Sequence, residues 1–129
     1  MKKITLVLLL CLPGFLLAQY QLGQDIYGES AGDISGQTVA VSNNGNIIAI
    51  GAHYNSGNGT MSGHVRIYQM DSTTSSWIQL GQDIDGEAAY DMSGSFQGLS
   101  LNGDGTRVAI GAPYNDGTST SNTNHGHVR

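Results

Sequence analysis

The chain has 129 residues, with five lysine and arginine side chains against ten aspartates and glutamates and a formal net charge of −5. Because phosphate binding depends on clustered cations, this acidic balance argues against a nucleic-acid partner. The single cysteine, Cys11, excludes an intramolecular disulfide, so the fold must be stabilised by packing and strand pairing.

The N-terminal segment predicts a removable signal peptide over residues 1–18. Two lysines at the start precede an apolar run over 4–17, and Ala18 supplies a small residue at the cleavage point. The run is shorter than the roughly twenty apolar residues of a membrane-spanning helix. Cys11 follows a leucine, where lipoprotein processing needs a small residue, so we reject a lipoprotein signal. We therefore expect a secreted or cell-surface protein without a membrane span.

The remainder of the chain contains two copies of one unit. The first matching pair of segments shares eleven of fifteen residues, and both members contain the phrase LGQDI-x-GE. The matching pairs are 22–36 with 80–94, 43–55 with 103–115, and 63–66 with 126–129. Self-similarity at a nearly fixed period is typical of repeat architectures. We therefore divide the chain into a first repeat, 19–79, and a second repeat, 80–129.

The first repeat predicts four short antiparallel strands. Its β-branched residues alternate with small or polar ones, which is typical of half-buried strands. The predicted strands are 38–42, 47–52, 64–70 and 77–82. The dipeptide Asn44-Gly45 separates the first two and favours a tight hairpin.

Four strands in about sixty residues are typical of a β-propeller blade. The predicted class is therefore all-β, built from antiparallel four-stranded blades. Three or more such repeats are usually needed for stability, and the second repeat stops at Arg129, inside its third predicted strand. We therefore expect a fragment of a longer protein, with fewer than two complete blades.

Residues 96–113, FQGLSLNGDGTRVAIGAP, resemble the FG-GAP repeat of integrin α-subunit propellers. Phe96 and Gly98 lie near the Phe-Gly of that family, and 111–113 is its Gly-Ala-Pro. The first copy departs from the pattern and ends in Gly-Ala-His at 51–53. The duplicated LGQDI-x-GE phrase is also similar to FG-GAP-like repeats of exported Bacteroidetes surface proteins. The resemblance implies a seven-bladed propeller, packed against neighbouring blades of the full-length chain, with an extracellular binding or adhesion function.

The resemblance also implies Ca²⁺ in some blades, held by an acidic D-x-N/D-x-D-G-x-x-D loop that supplies hard oxygen ligands. The corresponding loop here is 100–108, where Asn102 and Asp104 keep oxygen-bearing side chains. Ser100 and Val108 replace the first and last carboxylates of the pattern. A Ca²⁺ site at Asn102 and Asp104 is thus one hypothesis; an ordinary glycine-rich hairpin turn is the alternative that we favour, and no cofactor is assigned.

Three carboxylates recur at identical spacing at the start of each repeat. They are Asp25, Glu29 and Asp33 in the first copy, and Asp83, Glu87 and Asp91 in the second. They could chelate a cation or hold a polar ligand at one rim of the propeller. The alternative is that they cap turns, with Asp33 and Asp91 accepting backbone N–H bonds. We favour the alternative because structural positions recur between repeats, whereas active sites are usually unique.

The histidines and aromatic residues also allow two interpretations. His64 and His127 occupy equivalent strand-entry positions, which favours an architectural role. His125 and His127 could bind a transition metal, but they lack a third ligand. The aromatic candidates for stacking on sugar rings are Trp77, Tyr54 and Tyr114, although packing between blades is the expected role of the tryptophan.

No nucleophile–base pair, phosphate loop or paired catalytic carboxylate can be argued from the pattern, so we predict that the protein is not an enzyme. The leading prediction is an exported, non-catalytic binding module that presents loops 54–63 and 114–126 to an extracellular protein or glycan. Two alternatives stay open. One is the scaffold portion of a larger extracellular hydrolase or lyase, and the other is a purely structural spacer.

Overall fold

A computed structural model describes residues 20–117 and 123–129, so the predicted signal peptide lies outside the described residues. Within those residues the chain forms eight β-strands and no helix, which confirms the predicted all-β class. The strands are β1 (Thr38–Val41), β2 (Ile47–Ala52), β3 (His64–Asp71), β4 (Ser76–Gln79), β5 (Ile84–Asp85), β6 (Leu99–Leu101), β7 (Val108–Ala112) and β8 (His127–Val128). In this part of the chain no helix is long and apolar enough to cross a membrane.

The first repeat folds into one antiparallel sheet in the order β1-β2-β3-β4, the predicted four-stranded arrangement. The register is fixed by the pairs Val39↔Ile50, Ala49↔Ile67 and Met70↔Trp77. The predicted strand 77–82 ends early, at Gln79, because Gly81 adopts a φ of +72° that a strand cannot accommodate. The chain then returns to β3 as the short strand β5.

The second repeat contributes a three-stranded sheet, β6-β7-β8, whose strands correspond to β1, β2 and β3. In both sheets the same tight turn joins the first two strands, β1 to β2 and β6 to β7. The amide of Gly45 donates to the carbonyl of Ser42 at 2.9 Å, and the amide of Gly105 donates to that of Asn102 at 3.0 Å. Both glycines have a positive φ, which confirms the predicted hairpin turns.

The hydrophobic core lies between the two repeats. Ala49 and Val65 of the first sheet are fully buried, and they pack with Ile110 of the second, which is 2% exposed. Burying one side chain of the size of valine or isoleucine contributes about 1.5–3 kcal/mol. Val39 and Val41, on alternate positions of β1, remain more than half exposed. The face of the first sheet that carries Ala49 and Val65 therefore meets the second repeat, whereas Ile50, Arg66 and Tyr68 are buried on the opposite face.

The two repeats also contact each other through the backbone at residues 62–63 and Ser93. Gly63 bridges Ser93, and the amide of Ser93 donates to the carbonyl of Ser62 at 2.9 Å. Gly63 has a φ of +74°, and a Cβ there would collide with the backbone of Ser93. The junction therefore has no room for a side chain at position 63.

This contact predicts unequal effects of two alanine substitutions. Gly81 has nearly the same φ, +72°, but a Cβ at that position would meet no atom within 4 Å. Gly81→Ala should cost only the left-handed backbone strain of about 1–2 kcal/mol. Gly63→Ala adds steric overlap and should cost roughly 3 kcal/mol or more. Urea unfolding of both variants measures the difference, and equal losses would contradict a close-packed junction.

Candidate functional site

A network of polar side chains holds the loop after β2 in the first repeat. The side-chain amide of Asn55 donates to Asp33 at 3.0 Å and to Glu29 at 3.2 Å. The same Asp33 oxygen accepts the backbone N–H of Ser30 at 3.0 Å. The side-chain oxygen of Asn55 accepts the amide of Gly57 at 2.8 Å. The side chain of Asn55 thus links the carboxylates of Glu29 and Asp33 to the loop after β2.

The second repeat duplicates this network. The side-chain amide of Asn115 donates to Asp91 at 2.8 Å and to Glu87 at 3.3 Å. Asp91 accepts the backbone N–H of Ala88 at 2.9 Å, and Asn115 accepts that of Gly117 at 2.8 Å. The repeated geometry is therefore a structural element of the fold.

These bonds confirm the predicted turn-capping role of Asp33 and Asp91, which are 6% and 2% exposed. Asn55 and Asn115, which are similarly buried, were missed as partners. The sequence contained a hint of their equivalent roles, because the two asparagines are the last residues of the matched segments 43–55 and 103–115.

Beside the first network lies an open depression of about 500 Å³. Its walls are formed by residues 29–33 and by the loop after β2, including Tyr54 and Met61. Tyr54 is 36% exposed, and its repeat equivalent Tyr114 is 38% exposed. The ring of His53 lies 4.1 Å from that of Tyr54, and burial lowers the pKa of His53 below its ordinary value. Aromatic and polar groups thus lie together at this edge.

Trp77 lies at the other end of the sheet, paired with Met70 near the end of β3. Its indole N–H donates to the carbonyl of Leu22 at 3.2 Å, and its backbone amide donates to the Gln24 side chain at 2.9 Å. Residues 22–24 therefore cover the edge of β4 at this point. The tryptophan and the tyrosines do not form one aromatic surface.

A second cluster surrounds His64, the first residue of β3. Its ring nitrogen Nδ1 lies 3.5 Å from Asp83 Oδ2 and 3.8 Å from Glu29 Oε2. The three ligand atoms all lie within 4.8 Å of one another. His64 is only 1% exposed, as expected for an architectural histidine. The cluster brings Glu29 of the first repeat together with Asp83 of the second.

The three recurring carboxylates of the first repeat, Asp25, Glu29 and Asp33, therefore do not form a single cluster. Asp25 is exposed and accepts hydrogen bonds from the side chains of Gln21 and Tyr27, which lower its pKa in that order. Glu29 and Asp33 meet through Asn55. The approach of Glu29 to Asp83 could not be predicted from the sequence, because it depends on the pairing of β5 with β3.

Asn102 and Asp104 both help to close the turn between β6 and β7. Asp104 accepts the hydroxyl of Thr106 at 2.6 Å and its backbone amide at 2.9 Å. Asn102 accepts the amide of Arg107 at 2.8 Å. These bonds support the hairpin-turn interpretation, and the Ca²⁺ hypothesis for Asn102 and Asp104 stays a prediction.

Of the remaining metal candidates, His125 is exposed, whereas His127 lies at the start of β8. The Nδ1 atom of His127 is 3.4 Å from Glu87, which repeats half of the His64 cluster.

No protein-family model, curated protein or solved structure matches the chain.

The duplicated network predicts that Asn55→Asp is strongly destabilising. The substitution replaces a donor by a third carboxylate against Asp33 and Glu29, at a site that is 4% exposed. Loss of the donor and the new repulsion should cost about 3 kcal/mol. Asn44→Asp is the control, because the exposed Asn44 uses only its side-chain oxygen, which aspartate retains. Equal free energies of unfolding for the two variants would contradict the network.

The β6–β7 turn predicts a defined pH dependence. Hydrogen bonds from the Thr106 hydroxyl and then its backbone amide hold the pKa of Asp104 below its ordinary value of 3.8. A lowered carboxylate pKa stabilises the fold above about pH 4, and this contribution is lost as the pH falls further. The stability difference between wild type and Asp104→Ala should therefore be constant at about pH 5–7 and shrink toward about pH 2.

Urea unfolding across this pH range measures the Asp104 effect. Asn44→Ala, in the equivalent turn of the first repeat, removes no titratable group and should give a pH-independent difference. A difference for Asp104→Ala that grows on acidification would overturn the assignment.

Proposed function

We propose that the chain is a non-catalytic binding module of the FG-GAP-like propeller type, which acts outside the cell and binds an extracellular protein or glycan. The observation that carries the proposal is the pair of loops after β2 and β7. The same hydrogen bonds hold both loops at their bases, while the residues between those bases differ. A rigid base that presents a variable loop is typical of recognition surfaces.

The two loop bases have the same geometry. The amide of Gly63 donates to the carbonyl of Asn55 at 3.0 Å, and that of Gly126 donates to the carbonyl of Asn115 at 2.8 Å. Between these anchors the first repeat has SGNGTMS and the second has DGTSTSNTNH. The length and chemistry of the loops vary on an unchanged support, which favours ligand discrimination over a purely structural role.

Each loop also begins with an exposed tyrosine, Tyr54 or Tyr114. Tyrosine combines a large apolar face with a hydroxyl group, so it contributes contact area at protein and carbohydrate interfaces. In the first repeat Tyr54 borders the depression that also contains Glu29 and Ser56. This combination of an aromatic face with polar groups suits a sugar ring or a polar peptide surface.

The chemistry of the carboxylates supports binding rather than catalysis. Asp33 and Asp91 accept hydrogen bonds from asparagine side chains and backbone amides, which fix the loop bases. The predicted signal peptide, 1–18, supports an extracellular site of action.

Binding of the protein to arrays of glycans and extracellular-matrix proteins tests the proposed role of the loops. We expect Tyr54→Ala, or replacement of residues 56–62 by the sequence of 116–125, to weaken binding of the captured ligand at least about tenfold. Tyr20→Ala is the matched control, because Tyr20 is 83% exposed and lies away from the loops in sequence. Binding that survives the exchange and the loss of both Tyr54 and Tyr114 would contradict the proposal. Failure of the wild-type chain to bind any member of the arrays would favour a structural spacer.

A further inference from the structure

We propose that Glu29, His64 and Asp83 form a site for a divalent transition-metal ion of the Zn²⁺ class, which fastens the first repeat to the second. The site shares Glu29 with the base of the first loop, but it does not rest on the proposed binding function. Two observations carry it: the geometry of the three ligand atoms, and the burial of an unpartnered imidazole that faces both carboxylates.

The two distances from the imidazole nitrogen are close to those between ligands of one ion. The separations of 3.5 and 3.8 Å from His64 Nδ1 exceed the 2.7–3.2 Å or so of an N–H···O hydrogen bond. In a tetrahedral zinc site with bonds of about 2.0–2.2 Å, two ligand atoms lie about 3.3–3.6 Å apart. The three atoms lie within 4.8 Å of one another, so an ion placed between them would draw the carboxylates closer together.

The histidine is buried without a hydrogen-bond partner. His64 is 1% exposed, and neither of its ring nitrogens has a partner among the described residues. Leaving a polar group buried and unpaired costs free energy, about 1–3 kcal/mol in proteins. Coordination through Nδ1 would satisfy the nitrogen that faces Asp83 and Glu29.

Neighbouring side chains hold both carboxylates in place. The side-chain amide of Gln79 donates to the second oxygen of Asp83 at 2.7 Å, and that of Asn55 donates to Glu29 at 3.2 Å. Such outer bonds orient metal ligands and are characteristic of metal sites. Asp83 therefore presents its free oxygen, Oδ2, to His64.

The charge of the cluster also favours a cation. Arg66, which follows His64 along β3, donates to the carbonyl of Tyr27 at 2.6 Å and lies 5.8 Å over the ring of Tyr68. Among the described residues it forms no ion pair within 4 Å of either carboxylate. The two carboxylates thus lack a permanent counter-charge from this arginine.

The donor set selects the class of ion. An imidazole nitrogen with two carboxylate oxygens suits Zn²⁺ and related transition metals, whereas Ca²⁺ takes about six to eight oxygen ligands. Three protein ligands leave the fourth position of a tetrahedral ion for water. The ligands precede β1, begin β3 and precede β5, so one ion would connect three separate segments.

The second repeat supplies an internal control. His127 Nδ1 lies 3.4 Å from Glu87, but the third neighbour there is Arg129, whose guanidinium is 3.8 Å from the same glutamate. Two ligands beside a cation should bind the ion much more weakly. We therefore expect one tight site per chain, at His64.

The full chain, stripped with a chelator, is titrated with Zn²⁺ by calorimetry and with Co²⁺ by visible absorption. We expect one ion per chain and Co²⁺ bands typical of a four-coordinate site. Asp83→Asn and His64→Gln should each weaken Zn²⁺ binding by at least about a hundredfold, since even outer-shell changes cost about 10–100-fold. His127→Gln should leave the affinity unchanged. Zn²⁺ should also raise the unfolding temperature of the wild type but not of Asp83→Asn.

Circular dichroism of the metal-free variants separates ligand loss from misfolding. If His64→Gln fails to fold, Glu29→Gln serves in its place, because the Glu29 side chain is 45% exposed and its loss leaves no buried vacancy. Wild-type affinity weaker than about 1 mM, or equal losses in His64→Gln and His127→Gln, would overturn the proposal.

Discussion

The contact between the two repeats is the interaction on which the rest of the structure depends. The apolar faces of the two sheets meet at Ala49, Val65 and Ile110, and the chain ties them together through the backbone bridge at Gly63. Neither sheet is large enough to bury these residues alone, because a single short sheet leaves one face in water. The second repeat also pairs its first strand, β5, with β3, which brings Asp83 to His64 and Glu29 of the first repeat and so creates the His64 cluster.

The polar network at the loop bases has a different origin, because it lies within each repeat. Asn55 bonds Asp33 in the first repeat, and Asn115 bonds Asp91 in the second, with equivalent partners and nearly the same distances. A buried carboxylate is tolerated when its oxygens are satisfied, and here the asparagine amide and a backbone N–H provide that satisfaction. The loops can then differ in sequence without disturbing the sheets. This separation of support from loop is the physical basis of the proposed binding function.

The two proposals place different demands on the protein. Loop recognition needs exposed residues that can vary, such as Tyr54, whereas a metal site needs buried residues at fixed distances, such as His64. Glu29 belongs to both features, since it contacts Asn55 and faces His64. A bound ion would therefore stiffen the support of the first loop through that glutamate.

Elements that depend on local chemistry could be predicted from the chain alone. Alternating β-branched residues and the Asn44-Gly45 turn predicted β1 to β3 closely, and the duplicated phrase predicted equivalent positions for Asp33 and Asp91. The same pattern overextended β4, because the positive φ of Gly81 is a backbone conformation that a hydrophobic pattern does not reveal. The meeting of Glu29 with Asp83 across His64 emerged only from the three-dimensional fold. These residues are distant in the chain, and their proximity depends on the long-range pairing of β5 with the start of β3, which no local pattern reveals.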